Sequence, residues 1–401
     1  MTPRSPLAGL RVLDFSRVLA GPYCTMVLAD LGAEVTKVER PGAGDETRHW
    51  GPPYAGGEAA YFLSVNRGKR SCAIDLGAPA GRELALELAA RADVTLENFR
   101  PGAAERLGLS YPELARRNPG LVHCSITGFG SGREPADRPG YDFVVQAESG
   151  LMAITGEPGG TPMKVGVALV DVLAGLNAAV AILAALRRRT TTGAGERIEV
   201  SLLGSALASL VNVAQNALLG DAEPGRYGNA HPSIVPYEAF RASDGWVAIA
   251  ANNDGLYRRL CEALERPELA EDPRFETNRQ RVEHREELVA LLAEPFSRRP
   301  VDEWLAALER VGVPSGKIRG VREAFDAAAQ AGDPATFVLD HPRAGRLELP
   351  KPPFSLAGSA TGATAPPPLL GQHTEEVLSE LGIGAERLAA LLGEGIVAGP
   401  S

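Results

Sequence analysis

The first half of the chain alternates between two hydrophobic periods. Apolar, β-branched runs at Arg11 to Phe15 and Glu34 to Val38 predict strands, because a strand buried on both faces has a nearly continuous apolar sequence. Between them, Gly21-Pro22 opens a helical stretch that ends at Gly32. The apolar positions that share one face of this helix are Cys24, Val27, Leu28 and Leu31.

The same alternation continues towards residue 126. A helical pattern lies near Gly81 to Arg91, and short apolar runs at Val94 to Leu96 and Leu121 to Ile126 predict two further strands. Strands that alternate with helices in this way are typical of a parallel sheet covered by helices on both faces. We therefore predict an α/β fold with a Rossmann-like parallel sheet in a large domain.

The pattern changes after residue 220, where prolines and glycines replace any hydrophobic period and predict a linker with a functional loop. Beyond it, two alternating runs joined through Asp244-Gly245 predict a β-hairpin, and amphipathic helices follow. A final helix is predicted with Thr374 as its N-cap. The predicted organisation is a large domain over 1–220, a linker over 221–236, a small α+β domain over 237–325, a linker over 326–345, and a part over 346–401 that returns to the large domain.

The composition is that of an average globular protein, with 44% hydrophobic and 23% charged residues. At 401 residues the chain is too long for one core, which favours two domains. The net charge of -9 disfavours a nucleic-acid partner, because such binding needs a dense array of cations. The cysteines lack metal-ligand spacing and no signal-peptide pattern precedes the first strand, so we predict no metal site and a cytoplasmic location.

One segment is apolar enough to be tested as a membrane span. Val167 to Leu186 contains only Asp171 and Asn177 as polar residues. It is Ala-rich and barely long enough to cross a bilayer, and its pattern is that of a buried strand leading into a helix. We therefore expect no membrane partner.

Asp171 is the residue that the pattern singles out. It follows the strand-like sequence KVGVALV and precedes a predicted helix, Val172 to Leu186, that ends in three arginines. One interpretation makes Asp171 the N-cap of that helix, since Asp is a favoured capping residue. The other makes it a nucleophile whose carboxylate the helix dipole keeps ionised. The two interpretations are compatible, and the pattern leaves both open.

Basic residues near the predicted strand ends indicate a phosphorylated ligand. Arg40 follows the second strand, Lys69 and Arg70 lie in VNRGKRS, and Arg106 lies in ENFRPGAAERLGLS. Ligands bind an open α/β sheet on the side where the strands end, and Arg binds phosphate groups well. The chain has no GxxxxGK[ST] motif, and the Gly-rich stretch from Thr127 to Pro135 lacks GxGxxG spacing, which argues against a nucleotide motif.

With these residues in place, the chain resembles a family III coenzyme A transferase, the family of formyl-CoA and carnitine-CoA transferases. The likeness runs from about Leu7 to the C-terminal helix. The matching segments are GLRVLDFSRVLAGPYCTMVLADLGAEVTKVERPGAGDETRHWGPP, VNRGKRS, ENFRPGAAERLGL, CSITGFG, GYDFVVQAESGLM, VGVALVDVLAGLNAAVAILAAL and PPPLLGQHTEEVL. The resemblance implies the family III fold, coenzyme A and acyl-CoA as substrates with no permanently bound cofactor, and an interlocked homodimer.

The resemblance also implies which residues form the site. Asp171 matches the family's catalytic aspartate. The coenzyme A contacts of related formate and oxalate enzymes would fall on Leu19, Ala20, Arg40, Ile74, Asp75, Leu76, Gly77, Asn98, Phe99, Arg100, Arg106, Pro139, Gly140, Tyr141 and Asp142. Those enzymes carry Gln where this chain has Leu19 and Lys where it has Pro139, which argues against formate or oxalate as the substrate.

Within the family, GDETRHWGPP, AHPSIVPYEAF and PPPLLGQHT most resemble the succinyl-CoA-dependent dicarboxylate transferases, in particular the glutarate (hydroxymethylglutarate) type. A racemase of 2-methylacyl-CoA thioesters shares the fold but is expected to carry Gly-His-Asp where this chain has Gly140-Tyr141-Asp142. Tyr, with an unperturbed pKa of about 10, abstracts an α-proton poorly at neutral pH, so the transferase is favoured. A non-catalytic acyl-CoA binding protein is the third alternative.

The expected reaction uses Asp171 as a covalent carrier. Its carboxylate attacks the thioester carbonyl, the coenzyme A thiolate leaves, and the acceptor acid then attacks the aspartyl-acyl anhydride. Because an anhydride hydrolyses, the loop from Gly228 to Tyr237 is expected to cover the site and exclude water. Arg48 or His231 is expected to bind the far carboxylate of a dicarboxylic acyl group.

Overall fold

A computed structural model describes residues 5–130, 138–221 and 223–400 of the chain. Its strands, numbered in chain order, are β1 (Arg11–Asp14), β2 (Glu34–Glu39), β3 (Tyr54–Ala55), β4 (Glu58–Ala59), β5 (Lys69–Ile74), β6 (Val94–Glu97), β7 (Val122–Thr127), β8 (Glu196–Ser201), β9 (Tyr237–Arg241), β10 (Trp246–Ala250), β11 (Ser315–Lys317), β12 (Thr336–His341), β13 (Gly345–Pro350) and β14 (Val397–Ala398). Its helices are α1 (Ala20–Asp30), α2 (Ala60–Val65), α3 (Pro79–Ala90), α4 (Ala103–Arg106), α5 (Tyr111–Arg117), α6 (Asp142–Glu148), α7 (Leu169–Thr192), α8 (Leu202–Ser209), α9 (Val211–Leu219), α10 (Asp254–Ala263), α11 (Pro267–Glu271), α12 (Asn278–Glu283), α13 (Arg285–Phe296), α14 (Val301–Arg310), α15 (Val321–Gln330), α16 (Thr374–Glu380) and α17 (Ala385–Gly393). A short 3-10 turn spans Glu46–His49.

The main sheet is seven-stranded, in the order β14-β5-β2-β1-β6-β7-β8. Its neighbours are parallel, apart from the antiparallel pair of β14 and β5. Counted along the chain, the parallel strands lie in the order third, second, first, fourth, fifth, sixth, which is that of doubly wound nucleotide-binding sheets. In such sheets the ligand crevice lies at the carboxyl ends of the strands where the order reverses, here between β1 and β6. The predicted α/β fold with a parallel sheet is confirmed.

Hydrophobic cores cover both faces of this sheet. In β1, Val12 belongs to the core with α1, α7 and α8, whereas Leu13 belongs to the core with α3, α5, α16 and α17. Since successive side chains of a strand point to opposite faces, both must be apolar. This double burial explains why the strand has a continuous apolar sequence.

The pattern located β1, β2, β6 and β7, but it missed β5 and β8. β5 begins with a lysine that is wholly buried: the ammonium of Lys69 donates to Pro22 O and Asn66 Oδ1, both at 2.9 Å, and pairs with Asp14 at 3.3 Å. In β8, exposed charged residues flank Ile198, so the strand has little apolar signal. Lys69 is the first residue of β5, whereas ligands bind where the strands end. The suggestion that Lys69 contacts a ligand is therefore corrected.

One helix of the described residues, α7, is long and apolar enough to cross a membrane by length and composition, and α8 with α9 forms a bent pair that passes the same test. Along α7, Val170, Ala174, Ala178 and Ile182 are buried in the core shared with α1 and the sheet. That packing accounts for the apolar face of the helix.

The chain divides into two compact units. Among the described residues, the larger takes in 5–130, 138–151, 164–220 and 335–400, and the smaller takes in 152–163, 221 and 223–334. The smaller unit contains the antiparallel sheet β11-β10-β9, with the predicted hairpin between β9 and β10 closed by Ala242 N donating to Gly245 O at 2.9 Å. Its core includes Phe240, Phe296 and Trp304.

The helix near the C-terminus begins differently from the prediction. The N-cap of α16 is His373, and Thr374 is its first helical residue. The hydroxyl of Thr374 instead accepts a hydrogen bond from Ala73 N of β5 at 2.9 Å. The predicted N-cap role of Thr374 is therefore wrong, because its side chain binds the neighbouring strand.

Candidate active site

Asp171 is the third residue of α7, which begins at Leu169. The N-cap of this helix is Ala168, so the interpretation of Asp171 as the N-cap is wrong. Its carboxylate accepts no hydrogen bond from any residue in the described ranges. Asp171 instead lines a cavity of about 120 Å³ at the carboxyl ends of the strands, which we call the Asp171 cavity.

A close approach of two helices puts Asp171 at this place. A Cβ added to Gly175 would lie 2.6 Å from Ala20 O and 3.2 Å from the ring of Tyr23, both in α1. Gly175 therefore lets α7 come against the first turn of α1. Residues four apart share one face of a helix, so Asp171 lies one turn before this contact, beside the start of α1.

The turn between β1 and α1 forms the facing wall. Val18 has φ 70, a left-handed conformation that costs a β-branched residue about 1–3 kcal/mol. Its N–H donates to both carboxylate oxygens of Asp45 at 3.2 Å. The side-chain amide of Asn98 binds both backbone groups of Arg17, the residue before Val18: it accepts from Arg17 N at 2.8 Å and donates to Arg17 O at 2.7 Å. The surrounding hydrogen bonds thus maintain the strained turn.

A buried ion pair between Lys37 and Asp45 stabilises the same turn. The ammonium of Lys37 lies 2.9 Å from Asp45 and donates to Ser16 O at 2.6 Å, and both charged side chains are fully buried. Burial opposes ionisation of Asp45, but the charge of Lys37 and the N–H of Thr47 lower its pKa to about 2. The Asp45 carboxylate that accepts from Val18 N therefore stays charged over the physiological pH range.

The predicted coenzyme contacts line two adjoining cavities. Those in the Asp171 cavity are Leu19, Ala20, Asn98, Phe99, Arg100, Pro139, Gly140 and Tyr141. Those in the second cavity, of about 590 Å³, are Arg40, Ile74, Asp75, Leu76, Gly77, Phe99, Arg100 and Arg106. Both cavities are lined by Arg17, Glu46, Phe99 and Arg100, so together they form one groove, which we call the carboxyl-end groove.

The second cavity is rich in free cations. Arg40, Arg100 and Arg106 are exposed, and none of the three makes an ion pair with a described residue. Guanidinium groups bind phosphate oxygens through paired hydrogen bonds. The groove therefore has an anion-binding part and, at the other end, the carboxylate of Asp171.

The electrostatics of Asp171 differ from the expectation. Burial, followed by the negative charge of Asp142, raises the pKa of Asp171 to about 7. The expected effect of the helix dipole, a carboxylate held firmly ionised, is thus outweighed. Burial and the charges of Asp171 and Asp142 also raise the pKa of Tyr61 to about 12.

Arg48 does not line the carboxyl-end groove. It is 8% exposed, its Nε and Nη2 each donate to Glu39 at 2.8 Å, and it also pairs with Glu58 at 3.4 Å. Its guanidinium lies 3.6 Å from the ring centre of Phe62. The suggestion that Arg48 binds substrate is corrected: its donors are committed to a buried structural ion pair.

Asp142 is also placed differently from the expected coenzyme contact. It is 9% exposed and does not line either cavity of the groove. One carboxylate oxygen accepts from Val170 N at 2.8 Å, and the other accepts from Gln146 Nε2 at 2.6 Å. Asp142 therefore binds the start of α7 and not the groove.

His231 lies in the smaller unit, in the loop before β9. Its Nδ1 accepts from Ser233 N at 3.0 Å, and its carbonyl accepts from Arg285 Nη2 at 2.8 Å. Among the described residues, Arg285 Nη1 and Glu238 Oε1 are buried atoms without a hydrogen-bond partner. A substrate contact by His231 stays a prediction.

Some lining residues were not among the predictions. Arg17, Val18, Glu46 and Arg138 all line the Asp171 cavity. Arg17 and Val18 lie in the turn that follows β1, so the rule that ligands bind at strand ends could have found them. Glu46 begins the 3-10 turn and Arg138 lies outside the helices and strands, and no sequence pattern indicated either of them. No cluster of side chains able to hold a metal ion occurs within residues 5–130, 138–221 and 223–400.

Comparison with known proteins gives consistent results. The model of CoA-transferase family III matches residues 7–374. A mouse protein named succinyl-CoA:glutarate CoA-transferase is 44% identical over 376 residues, 94% of this chain and 86% of that protein. An Agrobacterium fabrum protein named succinate–glutarate CoA-transferase is 42% identical, over 94% of this chain and 96% of its own. The crystal structure of a CAIB/BAIF family protein from Brucella suis has 41% identity and a TM-score of 0.84, and covers 94% of this chain and 100% of its own.

Proposed function

The chain belongs to CoA-transferase family III, and we propose that it moves coenzyme A from succinyl-CoA to a dicarboxylic acid such as glutarate through an anhydride on Asp171. The observation that carries the proposal is the free Asp171 carboxylate at one end of the carboxyl-end groove. Exposed arginines line the other end, where the phosphates of coenzyme A would bind. The substrates are those in the names of the mouse and Agrobacterium relatives.

The first half of the reaction acylates the enzyme. An oxygen of Asp171 bonds to the thioester carbonyl carbon, the carbon–sulfur bond breaks, and coenzyme A leaves as the thiolate. The product is an anhydride between Asp171 and the acyl group, which retains the reactivity of the thioester. Backbone N–H groups at the start of α1, beside Leu19 and Ala20, would stabilise the oxyanion of this step.

The second half passes the coenzyme to the acceptor. The acceptor carboxylate attacks the aspartyl carbonyl carbon, and the donor acid leaves with one oxygen that Asp171 contributed. The thiolate then attacks the acceptor carbonyl of the new anhydride, which gives the new thioester and returns the aspartate. Each step is a nucleophilic displacement at a carbonyl carbon, and no redox partner or metal is needed for the balance.

The far carboxylate of a dicarboxylic substrate needs a polar partner. Because Arg48 is committed to Glu39, we propose His231, the other predicted residue, for this role. In that region Arg285 donates to the carbonyl of His231, and its positive charge also acts on the buried carboxylate of Glu238.

A panel of dicarboxylic acids assayed with succinyl-CoA tests this function. We expect new acyl-CoA to form with glutarate and related acids, and no product from Asp171→Asn. If glutarate gives no product while a chiral 2-methylacyl-CoA gains α-deuterium in deuterated water, the transferase assignment is wrong and the racemase alternative is correct. If both assays fail while acyl-CoA binds tightly, the protein is a non-catalytic binder.

We also propose that the protein forms a homodimer and acts in the cytoplasm. Apolar side chains on α7, α8 and α9 are exposed in the single chain, and we propose that a second copy covers them, since exposed apolar surface favours association. They are Leu176, Val180, Leu207, Val211, Leu218 and Leu219. Size-exclusion chromatography with light scattering measures the mass of the protein in solution. A mass twice that of one chain supports the dimer, and the mass of one chain refutes it.

A further inference from the structure

Two polar side chains of α6 hold the segment that leads into Asp171. Gln146 Oε1 accepts from Val165 N at 2.9 Å, and Gln146 Nε2 lies 3.4 Å from Val167 O. The same Nε2 donates to Asp142 at 2.6 Å. Residues 165 to 168 belong to no helix or strand, so these side chains provide partners that regular structure does not.

Asp142 in addition caps α7. Its Oδ1 accepts from Val170 N at 2.8 Å and lies 3.4 Å from Asp171 N. The first N–H groups of a helix lack partners within the helix and favour a negative charge. Ala168, at the N-cap position, has no side-chain oxygen to offer, so the cap comes from another element. The backbone of Asp171 is thereby bound directly to a second carboxylate.

We propose that Asp142 is a positioning residue that fixes the Asp171 carboxylate at the cavity wall and favours its acylation through charge repulsion. The inference rests on the proposed nucleophile role of Asp171. When Asp171 is ionised, it lies beside a like charge, whereas the anhydride is neutral at the same place. Forming the anhydride removes the repulsion, so the free enzyme is destabilised relative to the acylated one.

Two of the arginines that line the cavity are paired with carboxylates other than Asp171 and Asp142. Arg17 binds Glu46, and Arg138 binds Glu148, so neither cation is free to neutralise the nucleophile. Burial and the charge of Asp142 together raise the pKa of the nucleophile to about 7. The remaining titratable groups around the cavity are Tyr141, Tyr61 from α2, and Arg100, which makes no ion pair with a described residue.

The variant Asp142→Asn tests the proposal, because an amide retains the oxygen that accepts from Val170 N but removes the charge. We expect kcat to fall about tenfold or more, and the acidic limb of the plot of kcat/KM against pH to shift to lower pH. The KM for succinyl-CoA should stay within about twofold of wild type, since Asp142 does not line the groove. A purely structural role would lower the amount of folded enzyme without moving the acidic limb.

Asp142→Glu is the matched control, since it retains the charge and lengthens the side chain. We expect a reduced kcat with the acidic limb of the pH profile at its wild-type position. If Asp142→Asn does not fold, Asp142→Glu still tests the positioning role through its kcat. The proposal is overturned if Asp142→Asn has the wild-type limb, or if it raises the KM for succinyl-CoA while kcat is unchanged. Loss of the nucleophile role itself would show separately, as wild-type turnover in Asp171→Asn.

Discussion

Gly175 of α7 lies against the carbonyl oxygen of Ala20 in α1, so close that an added Cβ would be 2.6 Å from that oxygen. No real Cβ–oxygen contact is this short, and the neighbour is backbone, which cannot move alone. Any side chain at position 175 must therefore separate the two helices. Asp171 lies one turn earlier on α7, and the wall that it faces is the turn before α1.

We predict that Gly175→Ala lowers kcat by about 10- to 100-fold, because a displacement of roughly 1 Å at the nucleophile has a cost of that size. The helix itself should tolerate the change, since Ala favours helix more than Gly does. Steady-state kinetics measures the loss of kcat, and a thermal melt followed by circular dichroism measures any change in stability, so the two effects are separated. Ala184→Gly, on the exposed side of the same helix, is the control and should lose stability but retain kcat. Wild-type kcat in Gly175→Ala would contradict the account.

The raised pKa of Asp171 predicts an unusual dependence of stability on pH. An unfolded Asp has a pKa of about 3.9, whereas the folded value is about 7. Between these values the folded state retains a proton that the unfolded state has released, so wild type loses stability as pH rises through this window. Asp171→Asn lacks this titration, and its Tm should exceed that of wild type by more at pH 8 than at pH 4.5. Parallel Tm curves for the two proteins would show that the pKa is not raised.

The exposed arginines of the second cavity predict an effect confined to coenzyme binding. Arg106→Ala and Arg40→Ala should each raise the KM for succinyl-CoA about 10-fold or more, because a charge-assisted hydrogen bond is lost, while kcat changes little. Initial rates over a range of succinyl-CoA concentrations give both constants. Arg117→Ala, an exposed arginine that pairs with Glu83 outside the groove, should leave them unchanged. An equal rise in KM in all three variants would mean that the net charge of the protein, and not a direct contact with coenzyme A, sets the KM.

Arg48 is predicted to matter for stability alone. Arg48→Met removes the guanidinium that pairs with the buried Glu39 carboxylate and leaves it only its hydrogen bonds from Asp45 N and Ser71 Oγ, which costs about 3 kcal/mol in the free energy of unfolding. Urea titration measures this loss, and Arg48→Met with Glu39→Gln should recover part of it. The folded enzyme should retain its KM for glutarate. A wild-type urea midpoint with a raised glutarate KM would return Arg48 to the substrate site.

The sequence predicted the strands that are apolar on both faces and the helices that follow them, as β1 and α1 illustrate. It could not predict β5, because the polar Lys69 is buried with partners that the fold brings to it, among them Pro22 O and the carboxylate of Asp14, which lies 55 residues earlier. The site was predicted where residues follow a strand, as Arg40 does, or match a motif, as Asp171 does. Partners that depend on folding were missed: the pattern at Asp142 gives no sign that its carboxylate reaches Val170.

Transfer of oxygen-18 tests the covalent role of Asp171 most directly. In the proposed reaction one oxygen of the acceptor carboxylate becomes the bridging oxygen of the second anhydride and stays on Asp171 when the thiolate attacks. After turnover with succinyl-CoA and glutarate labelled in its carboxylates, mass spectrometry of the peptide that contains Asp171 should find the heavy oxygen there. Full turnover with an unlabelled Asp171 would mean that the acyl group never binds to this carboxylate.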